Sequence, residues 1–302
     1  MPPPPPTRSC SRRPSLPEPL LSVVVCSHER PDELERCLAA LESLEDPVEI
    51  VVVDSASRPP CRELVGSRAR YVYVEEPGLS RARNVGVGVA SCELIAFVDD
   101  DAAVRPDWAR RLARAFRDPR VGAAGGTCSP AFRAKRPRWL SDRLLQYAGI
   151  TRFGEGAREA RSSAEYPFGA NVCVRRTALA EVGGFSEELG RIGTSLLSGE
   201  EAAVLDAMRA AGWAIRLEPA AVVDHAVVPA RCRGAYYWRR LWWQGRSRAR
   251  AQRSWLVGLR VAAGAPVRLA LWLVTRDRVH LYRLAETAGY LRERLKPGDA
   301  RT

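Results

Sequence analysis

The sequence predicts an α/β chain, with a mostly parallel central sheet and a basic helical extension at the C-terminal end. Three observations carry that prediction. Short continuous apolar runs alternate with helically spaced ones, polar residues cluster where the apolar runs stop, and no acidic residue falls between Asp224 and Asp277.

Residues 20–26 (LLSVVVC) form a continuous apolar run, as in a parallel strand covered on both faces. Residues 31–44 then place Leu34, Cys37, Leu38, Leu41 and Leu44 at helical spacing, with Asp32 and Glu33 complementing the dipole of the first turn. Residues 49–53 (EIVVV) make a second strand ending at Asp54, and residues 71–74 a shorter third. Residues 80–90 read as a helix, residues 94–98 (LIAFV) as a fourth strand running into Asp99-Asp100-Asp101, and residues 108–116 as another helix. Strands alternating with helices give a parallel sheet, whose ligands sit at the carboxyl ends of the strands. Those ends carry Ser27-His28-Glu29, Asp54-Ser55 and the three aspartates, so three polar clusters should converge on one edge.

The second half is less regular. Residues 123–130 contain Gly-Gly and Ser-Pro and are expected to turn, and residues 135–165 should be loops with short helices. Residues 168–174 lead into a strand and 176–182 into a short helix closed by Gly183-Gly184. Residues 200–211 have helical spacing with a Gly212 stop, and residues 214–217 and 221–223 read as edge strands. From Tyr236 onward the chain is expected to be helical and basic.

With 302 residues and 46% hydrophobic content, the chain can build a full core without staples. Its formal charge of +12 is carried almost wholly by arginine, Lys135 and Lys296 being the only lysines. That charge favours phosphates, anionic lipid or nucleic acid as partners. Eight cysteines are scattered with no CxxC pair and no metal-ligand spacing, which suits free thiols in a reducing cytosol. Residues 1–19 are too rich in Pro and Arg for a signal core and read as a disordered lead-in. The most apolar stretch, residues 255–275, is broken by Arg260, Pro266 and Arg268 and falls short of the ~18 apolar residues a membrane span needs.

A run of aspartates is by itself more often an acidic surface turn than a site. At the mouth of a parallel sheet, however, Asp99 and Asp101 can both face one cleft and suit a hard divalent cation bridging to phosphate oxygens. Asp54 either accepts hydrogen bonds from a ribose or base or forms a turn. Ser27 and His28 open the first βα turn, where a nucleotide base would lie. That turn contains no glycine, and Gly86-x-Gly88 lacks a third, so a dinucleotide or P-loop enzyme is disfavoured. Glu200 and Glu201 at a helix start either complement the helix dipole or supply a general base.

Together, the segments SVVVCSHERPDEL, VVVDSAS, GLSRARNVGV, LIAFVDDDA, FGANVCVRR, VGGF and SGEEAAVLDAMRAAGW, with the later His225, resemble the family 2 glycosyltransferases of GT-A fold over roughly residues 20–248. The resemblance implies inverting transfer of a sugar from a nucleotide-diphosphate donor, most readily a UDP-sugar, to a hydroxyl acceptor, with Mn²⁺ or Mg²⁺ as cofactor. It implies metal binding by Asp101 and Asp99, donor contacts from Ser27, His28, Glu29, Asp54, Arg81, Asn84, Asp99 and Asp100, and acceptor contacts from Gly169, Asn171, Trp243 and His225. The catalytic base falls on Glu201, where the family generally has Asp, with Glu200 beside it. The organisation expected is a lead-in at 1–19, a catalytic domain at 20–228 divided at 125/126 into donor and acceptor halves, and a basic aromatic tail at 229–302. In that tail Arg239, Arg240, Arg246, Arg248 and Arg250 interleave with Trp238, Trp242 and Trp243. This suits either an anionic membrane surface, placing a cytoplasmic protein on the inner face of the plasma membrane, or a helix packed on the core. A lipid-linked glycan, a cell-surface polysaccharide or a secondary metabolite would suit as acceptor. Nucleic-acid binding would explain the Arg/Trp segment but leaves the acidic clusters idle. A nucleotidyltransferase lacks its expected glycine-rich first loop here.

Overall fold

A computed structural model describes residues 18–193, 195–251 and 255–295. The expected lead-in lies almost wholly outside the described residues. The first half runs β1 (Ser22–Ser27), α1 (Pro31–Glu42), β2 (Glu49–Ser55), α2 (Arg62–Val65), β3 (Arg70–Val74), α3 (Leu79–Val89) and β4 (Leu94–Asp99). β1 pairs in parallel with β2 and β4, and the register sets Ser27 opposite Asp54 and Cys26 opposite Asp99. The three polar strand ends therefore meet at one sheet edge. Alternate residues of β1 serve opposite faces. Val23 and Val25 pack with Leu34 and Leu38 of α1, whereas Val24 packs with Ala82 of α3. Each such side chain contributes roughly 1.5–3 kcal/mol when fully buried.

The chain continues through β5 (Ala102–Val104), α4 (Trp108–Ala115), β6 (Val121–Phe132), α5 (Asp142–Leu145), β7 (Arg158–Glu159), β8 (Asn171–Arg175), α6 (Arg176–Glu181), α7 (Glu200–Ala210) and β9 (Ala214–Val227). Among the described residues one sheet runs β3-β2-β1-β4-β8-β6-β9-β5, with β7 added beside β9.

Two expectations are corrected here. Residues 123–130 do not turn but lie within the strand β6, so the expected division at 125/126 cuts through a continuous strand. Residues 214–217 and 221–223 are not edge strands but parts of the single strand β9, which is flanked by β6 and β5. The residues read as turn signals are where the two strands approach closely. A Cβ at Gly126 would sit 1.7 Å from the Ala221 carbonyl oxygen, and the β6–β9 register slips between Gly126 and Cys128. Pro219 lies opposite this bulge, its carbonyl accepting from Thr127 Oγ1 at 2.9 Å, where no ladder N–H is demanded of it.

The tail forms α8 (Gly234–Ala251), α9 (Trp255–Thr275) and α10 (Arg278–Arg294). Tyr237 and Leu241 of α8 and Val279 and Tyr282 of α10 share a core with Leu140, Leu144 and Val227, so α8 and α10 are joined to the body of the protein. Arg246 and Arg250 on α8 both pair with Glu293 of α10, at 2.6 and 2.8 Å. Part of the basic face is thus satisfied internally. α9 differs: Val267, Leu273 and Val274 are 59%, 51% and 82% exposed. No described helix is long and apolar enough to cross a membrane.

Candidate active site

A cavity of about 580 Å³ opens at the carboxyl edge of β1 and β4, a usual size for a small-molecule site. Ser27, His28, Asp99, Asp100, Gly169, Glu200, Glu201 and His225 line it, which brings together eight of the sequence-predicted residues.

The aspartates divide their work. Asp100 accepts from Ser27 Oγ at 2.9 Å and from Arg30 Nη1 at 2.6 Å. Asp101 Oδ2 accepts from Arg30 at 2.7 Å and from Arg231 at 2.8 Å. Its other oxygen, Oδ1, is buried and accepts no hydrogen bond, lying 3.2 Å from His225 Nε2. The same imidazole nitrogen stands 3.6 Å from Asp99 Oδ2. One potential ligand atom from each of Asp99, Asp101 and His225 lies within 4.8 Å of the other two. An orphaned buried carboxylate oxygen beside a second carboxylate and an imidazole fits a divalent cation, and the mixed oxygen and nitrogen donors suit Mn²⁺ more than Mg²⁺. His225, expected at the acceptor, stands in this cluster of potential ligands. The antiparallel pairing of Ala102 in β5 with His225 in β9 brings it there. Burial, partly offset by Arg30 and reinforced by the Asp101 charge, pushes Asp100 up to about 7. Burial acts on Asp101 too, but His225, Arg231 and Arg30 outweigh it and hold that carboxyl well below the usual range.

On the opposite wall, α7 begins after Gly199, and Glu200 receives Arg83 Nη1 at 2.8 Å. Arg83 is buried, faces both the Phe97 and Phe185 rings, and places Nη2 3.9 Å from Asp99. A Cβ at Gly169 would come 2.2 Å from that Nη2, so Gly169 lines the cavity by making room for the guanidinium. Burial, with the adjacent Glu201 charge adding to it, pushes Glu200 up to about 7 despite Arg83. Glu201 Oε2 is buried and unpartnered.

Several expected contacts go elsewhere. Asp54 is enclosed by Ser57 N, Cys61 N and the Tyr71 hydroxyl at 2.7–3.0 Å, and so shapes the loop after β2 rather than facing the cavity. Glu29 accepts from Arg58 N at 2.8 Å, tying two loops together. Arg81 points outward to Glu76 and Glu187. Asn84 exchanges hydrogen bonds with the Phe185 backbone at 2.8 and 2.9 Å. Asn171 is fully buried, accepting from Trp108 Nε1 at 2.9 Å and donating to the Thr127 and Ala221 carbonyls. Trp243 stacks under Arg246, with 4.2 Å from guanidinium carbon to ring centroid. Sequence reasoning passed over Arg30, Arg83 and Arg231, although Arg83 stands two residues after Arg81 in the same motif. Helical geometry was the available signal, because residues two apart face different ways.

The profile of the family described as Glycosyl transferase family 2 matches residues 22–183. The chain belongs to that family. It is 26% identical over 241 residues to a glucosyl-dolichyl phosphate glucuronosyltransferase of Haloferax volcanii, covering 76% of each chain. It is 28% identical over 254 residues to the succinoglycan biosynthesis protein ExoM of Rhizobium meliloti, covering 80% of this chain and 78% of that one. Among solved structures it is similar to the mannosyltransferase PcManGT of Pyrobaculum calidifontis in complex with GDP-Man and Mn²⁺. The TM-score is 0.60 at 21% identity, covering 90% of this chain and 87% of that chain. The GT-A fold and glycosyltransferase activity, of the hexosyltransferase kind, follow from the family match and these likenesses. For this family 2 member the nucleotidyltransferase and nucleic-acid-binding readings lapse.

Proposed function

We propose that the protein transfers a hexose, with inversion, from a nucleotide-diphosphate sugar, most readily a UDP-sugar, to a hydroxyl acceptor. The observation that carries this is one cavity lined by Asp99 and His225, with buried Asp101 beside them, and by Glu200 and Glu201. Asp99, Asp101 and His225 would hold Mn²⁺ or Mg²⁺, which when bound supplies positive charge beside the departing diphosphate. Ser27, His28 and Asp100 line the donor side. Glu201 takes the acceptor proton as the acceptor oxygen bonds to the anomeric carbon and the bond from that carbon to the diphosphate breaks. Each glutamate keeps one unpartnered buried oxygen, and Glu201 is favoured because Arg83 holds Glu200 Oε1 at 2.8 Å while no guanidinium meets Glu201 among the described residues. In this reading residues 20–228 act as the catalytic domain and residues 229–302 as an appended helical region.

The test pairs transfer with binding. A panel of UDP-, GDP- and dTDP-sugars with Mn²⁺ should yield one transferred sugar, and Glu201→Gln should lose ~10²–10⁴-fold in turnover while still binding nucleotide. Undiminished turnover in that variant rejects Glu201 as base. The bare apolar flank of α9, with Arg260 and Arg276 near its ends, further supports a peripheral seat on an anionic membrane.

A further inference from the structure

Five arginines line the cavity, and they fall into two groups. Arg30, Arg83 and Arg231 each meet carboxylates of the site at 2.6–2.8 Å. Arg240 and Arg191 do not. Arg240, reaching in from α8, bonds only to neutral oxygens: Ser198 Oγ at 3.3 Å and the Leu196 carbonyl at 3.4 Å. The Arg191 side chain forms no ion pair or hydrogen bond among the described residues, and its backbone carbonyl is held by Leu79 N. Burial pulls the Arg240 guanidinium below its ordinary range, and the Arg191 charge acts in the same direction, together outweighing the opposing charges of Glu201 and Glu200. With Arg83 already joined to Glu200, Arg240 and Arg191 beside the same two glutamates leave a surplus of positive charge that an anion would balance. These two arginines lie on the wall of Glu200 and Glu201, away from the aspartates that take the donor. A neutral sugar hydroxyl would not balance them. A phosphate would, since guanidinium forks match its oxygens.

We infer that Arg240 and Arg191 form a phosphate-binding subsite on the acceptor side of the cavity, and that the acceptor carries a phosphate ester. The inference rests on the transfer reading, because only an acceptor would occupy this wall during the reaction. Two sources supply that chemistry: a prenyl phosphate-linked sugar in a membrane and a soluble phosphorylated acceptor.

Calorimetric titration of the full chain separates them once the donor side is filled with Mn²⁺ and whichever of UDP or GDP binds. Geranyl phosphate, inorganic phosphate and geraniol are then added in separate experiments. Saturable phosphate binding is expected, weakened about tenfold or more by Arg240→Gln and by Arg191→Gln, with nucleotide binding unchanged. Geranyl phosphate binding well above inorganic phosphate, with geraniol silent, selects the prenyl source. Equal binding of geranyl phosphate and inorganic phosphate selects the soluble one. Arg191→Gln lies in an exposed loop and keeps the test open should the α8 variant fail to fold. No saturable binding to wild type, or binding untouched by either variant, overturns the subsite while leaving the transfer reading intact. Failure of every nucleotide to bind overturns both.

Discussion

Arg83 joins the two walls of the cavity, touching Glu200 at 2.8 Å and Asp99 at 3.9 Å from a fully enclosed position. Removing one partner of a buried pair strands the other, which typically costs about 3–5 kcal/mol. Arg83→Met should therefore lower the unfolding free energy by about 3 kcal/mol in denaturant titration, and loss of less than 1 kcal/mol would show the pair to be solvated. Glu200 also sets a pH dependence. Its folded value of about 7 lies above the 4.5 of the unfolded chain, so its contribution is full below pH 4.5 and is lost as pH rises through 7. Glu200→Gln removes that loss. The melting temperature of the variant should thus gain on wild type between pH 4.5 and pH 7.5, and parallel curves would contradict it. At this scale the sequence was only partly legible. Asp99 and Asp101 could be named because they end a buried strand at the mouth of a parallel sheet, yet Asp54, ending the neighbouring strand, serves the loop after β2. The arginines could not be sorted, because whether one points at a carboxylate, a ring or water depends on neighbours distant along the chain.

At the scale of elements, β1 to β4 with α1 and α3 were readable to within a residue or two, since their apolar runs are uninterrupted, whereas the four-residue α2 was not anticipated. β6 and β9 were not, because close contact between the strands required Gly126 where local signals say turn, and tolerated Pro219 beside a bulge. Gly126→Val should prevent the two strands from meeting and leave the protein insoluble or unfolded, as judged by circular dichroism. α9 carries the opposite expectation. Leu269→Glu with Leu273→Glu replaces side chains that are 43% and 51% exposed, so the melting temperature should hold. Flotation with phosphatidylglycerol vesicles should fall several-fold in that variant, and unchanged flotation would remove α9 from any membrane contact.

For the whole molecule, the proposed cation site would couple to stability. A ligand that binds only the folded chain stabilises it by about 2.7 kcal/mol at a hundred times its dissociation constant. Mn²⁺ should raise the melting temperature of wild type, and Asp101→Asn should abolish that rise. A rise that persists in Asp101→Asn would place the ion elsewhere. The class of the fold and its sheet edge could be anticipated from alternation alone. The placing of His225 could not, for it depends on β9 pairing with β5, more than a hundred residues earlier in the chain.

That late return has a consequence for how the protein is made. While the chain leaves the ribosome, the edge bearing Asp99 and Asp101 can assemble from β1 to β4 long before the imidazole partner exists. Only when the strand containing His225 docks against Ala102 is the third ligand delivered. If the triad holds the ion as proposed, cation capture would report that synthesis has passed the end of the sheet. On that proposal, a nascent chain stopped before that strand would hold its aspartates yet bind the ion weakly, and the enzyme would stay idle until β9 is in place.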